Sequence, residues 1–181
     1  MDLGSTLARL GRALGEDGID FALIGGLALG FRGVPRMTGD IDLLVQGEAA
    51  GRCEQAVLDL GFSLRFASEE VMQFHPPGED ASGGIDILLA RRAHTLGMLA
   101  RAKSEEVMPG TRIKVLDAED LIGLKVQASS NDPARHALDM GDIERMLAQS
   151  PDLDLERIRE YFLLFEREQE LDELLERQAK C

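Results

Sequence analysis

The chain has 181 residues, of which 44% are hydrophobic and 29% are charged. That length favours one compact domain with an appended helical piece, and the hydrophobic fraction excludes wholesale disorder. No apolar run approaches the roughly 20 residues needed to cross a bilayer, and the N-terminus lacks the apolar core of an export signal. The two cysteines, Cys53 and Cys181, cannot build a disulfide framework. We therefore expect a protein of the reducing cytoplasm with no membrane association.

The charge balance is strongly acidic. A net charge of −13 repels polyanionic partners at long range, which excludes broad, sequence-independent coating of nucleic acid. A local basic site is still compatible with this balance, because salt screens charges beyond a Debye length of about 8 Å.

Hydrophobic periodicity and turn residues predict the elements in chain order. Helices are predicted at 3–15, 27–31, 48–60 and 93–102, from 118 onward, and at 135–148 and 155–177. Strands are predicted at 20–24, 40–45, 85–89, as a pair within 62–75 and as a hairpin over 105–115, with a loop at 76–84. This order predicts an α/β (α+β) head at 1–116 and a helical tail at 117–181 that packs on the head.

Two carboxylates flank Ile41 at the start of a predicted strand. Alternate side chains of a strand share a face, so Asp40 and Asp42 point the same way with Cα atoms ~6.6 Å apart. Carboxylates this close repel each other unless a cation lies between them, and Mg²⁺ prefers such oxygen ligands. An isolated Asp-x-Asp is weak evidence, because it also occurs by chance and is often a solvated turn at the end of a surface strand.

Two further features point to the same chemistry. Gly25-Gly26 ends an apolar strand and opens a predicted helix, where free backbone N–H groups can approach a phosphate closely. A simple strand-to-helix turn is the alternative. Asp86 lies in the apolar run 85–89, where an unpaired carboxylate is costly to bury. It either completes a two-metal cradle with the first two carboxylates or bonds to a backbone amide at a strand end.

Together, these pieces resemble the DNA polymerase β-type nucleotidyltransferase superfamily. Its signature is a Gly-Gly or Gly-Ser corner, an Asp-x-Asp or Asp-x-Glu strand and a third Asp on a neighbouring strand. The segment from Gly25 to Asp42 is similar to the small bacterial branch that includes the AbiEii-type abortive-infection toxins. Segments 119–125 and 139–143 resemble that branch's Leu-x-x-Lys and Asp-x-x-Asp-Ile helices. The resemblance implies a nucleotidyltransferase-like mixed β-sheet flanked by helices.

The resemblance also implies an activity. Asp40, Asp42 and Asp86 would hold Mg²⁺ or Mn²⁺, while a nucleoside triphosphate donates its nucleotidyl group to an acceptor hydroxyl and releases pyrophosphate. The implied nucleotide-binding residues are Gly25, Gly26, Arg36, Thr38 and Lys125.

Several of these residues have simpler interpretations. Arg36 can form a surface salt bridge instead of clamping a phosphate, and Thr38 can serve only to fix its loop. Lys125 can extend from an apolar helix face into water. Asp139 and Asp142 share one helix face, where they either hold Lys125 in place or are solvated.

The sequence leaves the acceptor and the partners open. The acceptor could be an RNA 3′ end, a protein hydroxyl or a small molecule. The acidic last helix either binds a protein partner or packs on its own domain. Two other functions also fit the residues: a non-catalytic nucleotide-binding protein or toxin–antitoxin partner of the same fold, and a two-metal phosphohydrolase.

Overall fold

The computed structural model of the chain describes residues 2–78, 83–150 and 152–179. The chain divides into two compact units, one formed by Met1–Ala28 with Arg36–Leu116 and the other by Leu29–Pro35 with Asp117–Cys181. Cys181 and the centre of the predicted loop 76–84 lie outside the described residues.

The first unit is built on a mixed sheet. Its strands are β1 (Phe21–Ile24), β2 (Ile41–Gln46), β3 (Ser63–Ala67), β4 (Val71–His75), β5 (Ile85–Ala90), β6 (Lys103–Met108) and β7 (Thr111–Val115). Within the described residues these seven strands form one sheet in the order β3-β4-β5-β2-β1-β7-β6. Strand β2 is parallel to β5 and antiparallel to β1, while β1 is parallel to β7. The predicted mixed α/β fold is confirmed.

Eight α-helices complete the described chain. The first unit contains α1 (Leu3–Glu16), α3 (Ala50–Asp59) and α4 (Ala93–Arg101), and the second contains α5 (Ala118–Asn131), α6 (His136–Gln149), α7 (Leu155–Leu163) and α8 (Glu168–Gln178). The remaining helix, α2 (Gly25–Phe31), contributes residues to both units. In the described part of the chain, no helix is both long enough and apolar enough to cross a bilayer.

In the first unit, the side chains of β2 and β5 that face the core alternate with side chains on the other face of the sheet. Leu43 and Ile87 are fully buried on the face of the sheet opposite the half-buried acids of β2 and β5. Helix α1 buries Leu10 and Leu14, and its Gly11 comes so close to β7 that a Cβ there would lie 2.9 Å from Ile113 Cδ1. Helix α1 therefore packs closely against the sheet.

The predicted single helix over 155–177 is wrong. The chain leaves α7 after Leu163 and starts α8 at Glu168, with Glu166 in the left-handed region at a φ of 56°. The Arg167 guanidinium stabilises this turn by donating to the Val126 carbonyl at 3.1 Å and to the Glu170 carboxylate at 2.7 Å. No glycine or proline marks the break, so apolar spacing alone could not reveal it.

Candidate active site

Strand pairing brings two of the three predicted acids together. Asp42 is the second residue of β2 and Asp86 is the second residue of β5, and the parallel register places them directly opposite each other. Paired residues of neighbouring strands point to the same face, so the two carboxylates are neighbours. Ile41 and Ile85, one residue earlier in each strand, are fully buried on the other face.

The electrostatics of Asp42 include the third acid. Burial and the negative charges of Asp86 and Asp40 raise the pKa of Asp42 from 3.8 to about 6. A hydrogen bond from the Gly26 N–H and the positive charge of Arg36 act in the opposite direction but do not cancel the rise. Burial and the two neighbouring acids therefore outweigh the groups that favour the ionised form of Asp42.

The glycine corner fits tightly around the same carboxylate. Gly25 has a φ of +63°, and a Cβ on it would lie only 2.0 Å from Asp42 Oδ2. A Cβ on Gly26 would lie 2.7 Å from the Thr38 Cβ. Both positions therefore require glycine for space, and Gly25 requires it for backbone conformation as well. In this structure the Gly26 N–H donates to Asp42.

The loop before β2 supplies the remaining predicted residues. The Thr38 hydroxyl donates to the Asp40 carbonyl at 3.4 Å, which agrees with a loop-fixing role. Asp40 itself is exposed, and its Oδ1 lies 3.7 Å from the position that a Cβ on Gly84 would occupy. Arg36 is half-buried and close enough to Asp42 to affect its pKa.

The donor set suits a hard divalent cation. Three carboxylates supply only oxygen ligands. Burial is the largest cause of the raised pKa of Asp42, and the part that comes from Asp86 and Asp40 is a repulsion that a cation would relieve. Across residues 2–78, 83–150 and 152–179, no three His, Cys, Asp or Glu side chains converge closely enough to form a metal-holding group. The fit thus rests on ligand chemistry and charge rather than on a closed cage.

Lys125 lies in a separate cluster within the second unit. Its Nζ is 2.8 Å from Asp139 Oδ1 and 2.7 Å from Asp142 Oδ2, and both aspartates are fully buried. Arg135 contacts Asp139 at 3.3 Å, and Arg145 pairs with Asp142. The interpretation of these two aspartates as solvated is wrong, because they hold the lysine. A nucleotide-binding role for Lys125 stays a prediction.

One residue beside the acids was not predicted from the sequence. Gln73 of β4 lies directly opposite Asp86 in the antiparallel β4–β5 pair. Strand β4 buries Met72 and Phe74, whereas Gln73 between them is only half-buried. This alternation was present in the sequence and would have placed Gln73 on the polar face.

The fold of this chain is similar to that of solved nucleotidyltransferases. The antibiotic-resistance factor ANT(2″)-Ia, solved in complex with adenylyl-2″-tobramycin, has a TM-score of 0.62 and 18% identity over 90% of this chain and 95% of its own. A nucleotidyltransferase-like protein from Paracoccidioides brasiliensis has a TM-score of 0.57 and 16% identity over 97% and 92%. The lincosamide adenylyltransferase LnuA has a TM-score of 0.50 and 13% identity over 77% and 92%. At these identities the similarity establishes the fold alone.

The family is established by a direct match of the sequence. The model of the AbiEii nucleotidyltransferase toxins, described as a type IV toxin–antitoxin system, matches residues 7–180. The chain therefore belongs to the AbiEii nucleotidyltransferase toxin family, and it is a nucleotidyltransferase-type enzyme. The predicted resemblance is confirmed. No curated protein matches the chain.

Proposed function

We propose that this protein transfers a nucleotidyl group from a nucleoside triphosphate to an acceptor hydroxyl in a reaction that depends on Mg²⁺ or Mn²⁺. The pairing of Asp42 with Asp86 carries the proposal, because it joins two acids from distant parts of the sequence. The raised pKa of Asp42 adds Asp40 to the same electrostatic group. When bound, the metal would neutralise the triphosphate, and the three acids would hold it.

The chain's own residues account for the steps. The acceptor oxygen attacks the α-phosphorus, and a new P–O bond forms while the bond from that phosphorus to the bridging oxygen of the β-phosphate breaks. Pyrophosphate leaves with the bonding electron pair, and Asp86 takes the hydroxyl proton. Arg36 orients the phosphates, since a guanidinium binds oxyanions through two parallel hydrogen bonds. Gly25 and Gly26 let the nucleotide approach the backbone closely.

The test combines transfer, metal dependence and three acceptors. The protein is incubated with Mg²⁺, each α-labelled nucleoside triphosphate, and either a short single-stranded RNA with a free 3′ hydroxyl, tobramycin or no added acceptor. We expect labelled product and pyrophosphate from the wild type and at least a hundredfold less from Asp40→Asn and Asp42→Asn. Asp152→Asn, an exposed acid of the second unit, is the matched control and keeps its activity.

Other products decide between the alternatives. Release of inorganic phosphate would indicate a phosphohydrolase. Thermal stabilisation by nucleotide without any transfer product would indicate a non-catalytic nucleotide-binding protein. Full activity in both acid variants would reject the proposed site.

The proposal includes a protein partner for helix α8 and a cytoplasmic location. Asp172, Glu173 and Glu176 are exposed on this helix, so a basic partner surface would complement it. Binding to the product of the neighbouring gene is expected to weaken between about 50 and 500 mM salt, because salt screens exposed charges. Salt-independent binding, or equal binding by a variant with these three acids changed to Ser, would contradict this partner surface.

A further inference from the structure

The two catalytic strands belong to a longer row of side chains that crosses the sheet. Ile24 of β1 pairs with Asp42 of β2, and Asp42 pairs with Asp86 of β5. Asp86 in turn pairs with Gln73 of β4, and Gln73 pairs with Phe66 of the edge strand β3. Residues paired across neighbouring strands share a face, so Gln73 and Phe66 continue the line of the carboxylates.

This part of the row is open to solvent. On β4, Met72 and Phe74 are buried on one face, whereas Gln73 on the other is half-buried. Phe66 is 51% exposed although it is a large apolar side chain. Within the described residues, the Gln73 amide makes no hydrogen bond of its own. An exposed aromatic ring and a half-buried amide therefore lie on the same face of the sheet as the acids.

The nucleotide and the acceptor would occupy opposite ends of this row of side chains. If the nucleotide occupies the glycine corner, which adjoins Asp42 on the β1 side, the attacking hydroxyl must come from the other side, over Asp86. Neighbouring strands are ~4.8 Å apart, so Gln73 is one strand and Phe66 two strands beyond Asp86, which is roughly 10 Å in all. An acceptor with its hydroxyl at Asp86 that extends along this row would cover both side chains.

We propose that Gln73 is a positioning residue for the acceptor and that Phe66 forms an apolar floor beneath it. This inference rests on the proposed function. A carboxamide both donates and accepts hydrogen bonds, which matches two neighbouring hydroxyls of a sugar ring. An aromatic ring packs against the apolar face of a sugar or of a base attached to it. The acceptor class is therefore a sugar hydroxyl, carried either by an RNA end or by a small glycoside.

The test measures the Michaelis constants for nucleotide and acceptor separately. Gln73→Leu is compared with Gln46→Leu, because Gln46 is also half-buried but lies at the far end of β2. We expect Gln73→Leu to raise the acceptor KM at least tenfold and to leave the nucleotide KM within twofold of wild type. Gln73→Asn, which keeps the amide, should recover part of the loss, and Phe66→Ser should raise the acceptor KM while Phe66→Tyr does not.

The two added acceptors distinguish the sources of the sugar. Label in the RNA or in tobramycin supports the proposal and identifies which molecule carries the hydroxyl, whereas label that enters only the protein overturns the sugar assignment. An active wild type with equal acceptor KM values for Gln73→Leu and Gln46→Leu overturns the role of Gln73 but leaves the proposed function intact. A wild type that releases no pyrophosphate with any nucleotide contradicts the proposed function, and this inference with it.

Discussion

Asp42→Asn is expected to stabilise the protein in the absence of metal. Burial and two neighbouring acids raise the pKa of Asp42 from 3.8 to about 6. At 1.36 kcal/mol per unit, ionised Asp42 destabilises the folded state by up to about 3 kcal/mol. An asparagine amide has nearly the same shape, still accepts from the Gly26 N–H and carries no charge. A gain of about 1–3 kcal/mol at pH 7.5 corresponds to a rise in Tm of roughly 2–12 °C for a chain of this size.

The stability gain of Asp42→Asn is expected to increase with pH. Because the folded pKa lies above the unfolded one, the folded state binds the proton more tightly between about pH 4 and pH 6. The free energy of unfolding of the wild type therefore falls as the pH rises through that window, and the loss is complete above it. The advantage of Asp42→Asn should thus be largest at pH 7.5 and absent near pH 3.5.

Circular dichroism is the suitable assay, since the chain has no tryptophan. Urea unfolding is followed at both pH values in the presence of a chelator, with Asp152→Asn as the control for loss of an exposed acid. Mg²⁺ is then added: it should stabilise the wild type and leave Asp42→Asn unchanged. The electrostatic reasoning is refuted if Asp42→Asn is less stable than wild type at pH 7.5, or if its advantage is the same at pH 3.5.

Three other substitutions examine the remaining parts of the fold. Lys125→Met leaves two buried carboxylates without the lysine that lies between them, so it should lower the free energy of unfolding in urea by about 3–5 kcal/mol. The control Lys103→Met, at an exposed lysine, should change that free energy by less than about 0.5 kcal/mol. Equal costs for the two variants would show that the buried ion pairs contribute nothing to stability. Gly25→Ala places a methyl group against the Asp42 carboxylate, so it should abolish both transfer and stabilisation by Mg²⁺; an active variant would disprove the close packing. Glu166→Gly relieves a φ of 56° and should raise the free energy of unfolding by up to about 1 kcal/mol; a lower value would mean that the glutamate side chain stabilises the turn.

Local patterns predicted the strand that carries Asp42, because side-chain alternation depends only on residues two apart. They placed Asp40 in the same strand, whereas the strand begins at Ile41 and Asp40 lies in the loop before it. They could not predict that Asp86 lies opposite Asp42. The β2–β5 pairing joins segments more than forty positions apart, and its register is set by packing of the whole sheet. The local pattern marked Asp86 as a candidate with two interpretations, and the family resemblance grouped it with the first two acids.

In the helical second unit, prediction from the sequence was limited in a different way. A spacing of three residues predicted that Asp139 and Asp142 share a helix face, but it could not tell whether that face is wet or dry. The answer depends on Lys125, which comes from another helix and reaches both carboxylates. The break after Leu163 was missed for a related reason: the Arg167 contacts that hold the turn come from α5 and α8.

The acids of the second unit have a structural role, whereas we propose a chemical role for those around Asp42. In the second unit, Asp139 and Asp142 share the buried Lys125, and each is further paired with an arginine, so folding itself satisfies their charge. Around Asp42, burial and the neighbouring acids outweigh the Gly26 hydrogen bond and the nearby positive charge, and they raise its pKa. In the function proposed above, a hard cation relieves the repulsion among these acids, because their ligand atoms are all oxygens. The stability gain expected for Asp42→Asn and the loss of its response to Mg²⁺ would therefore both follow from removal of the Asp42 charge.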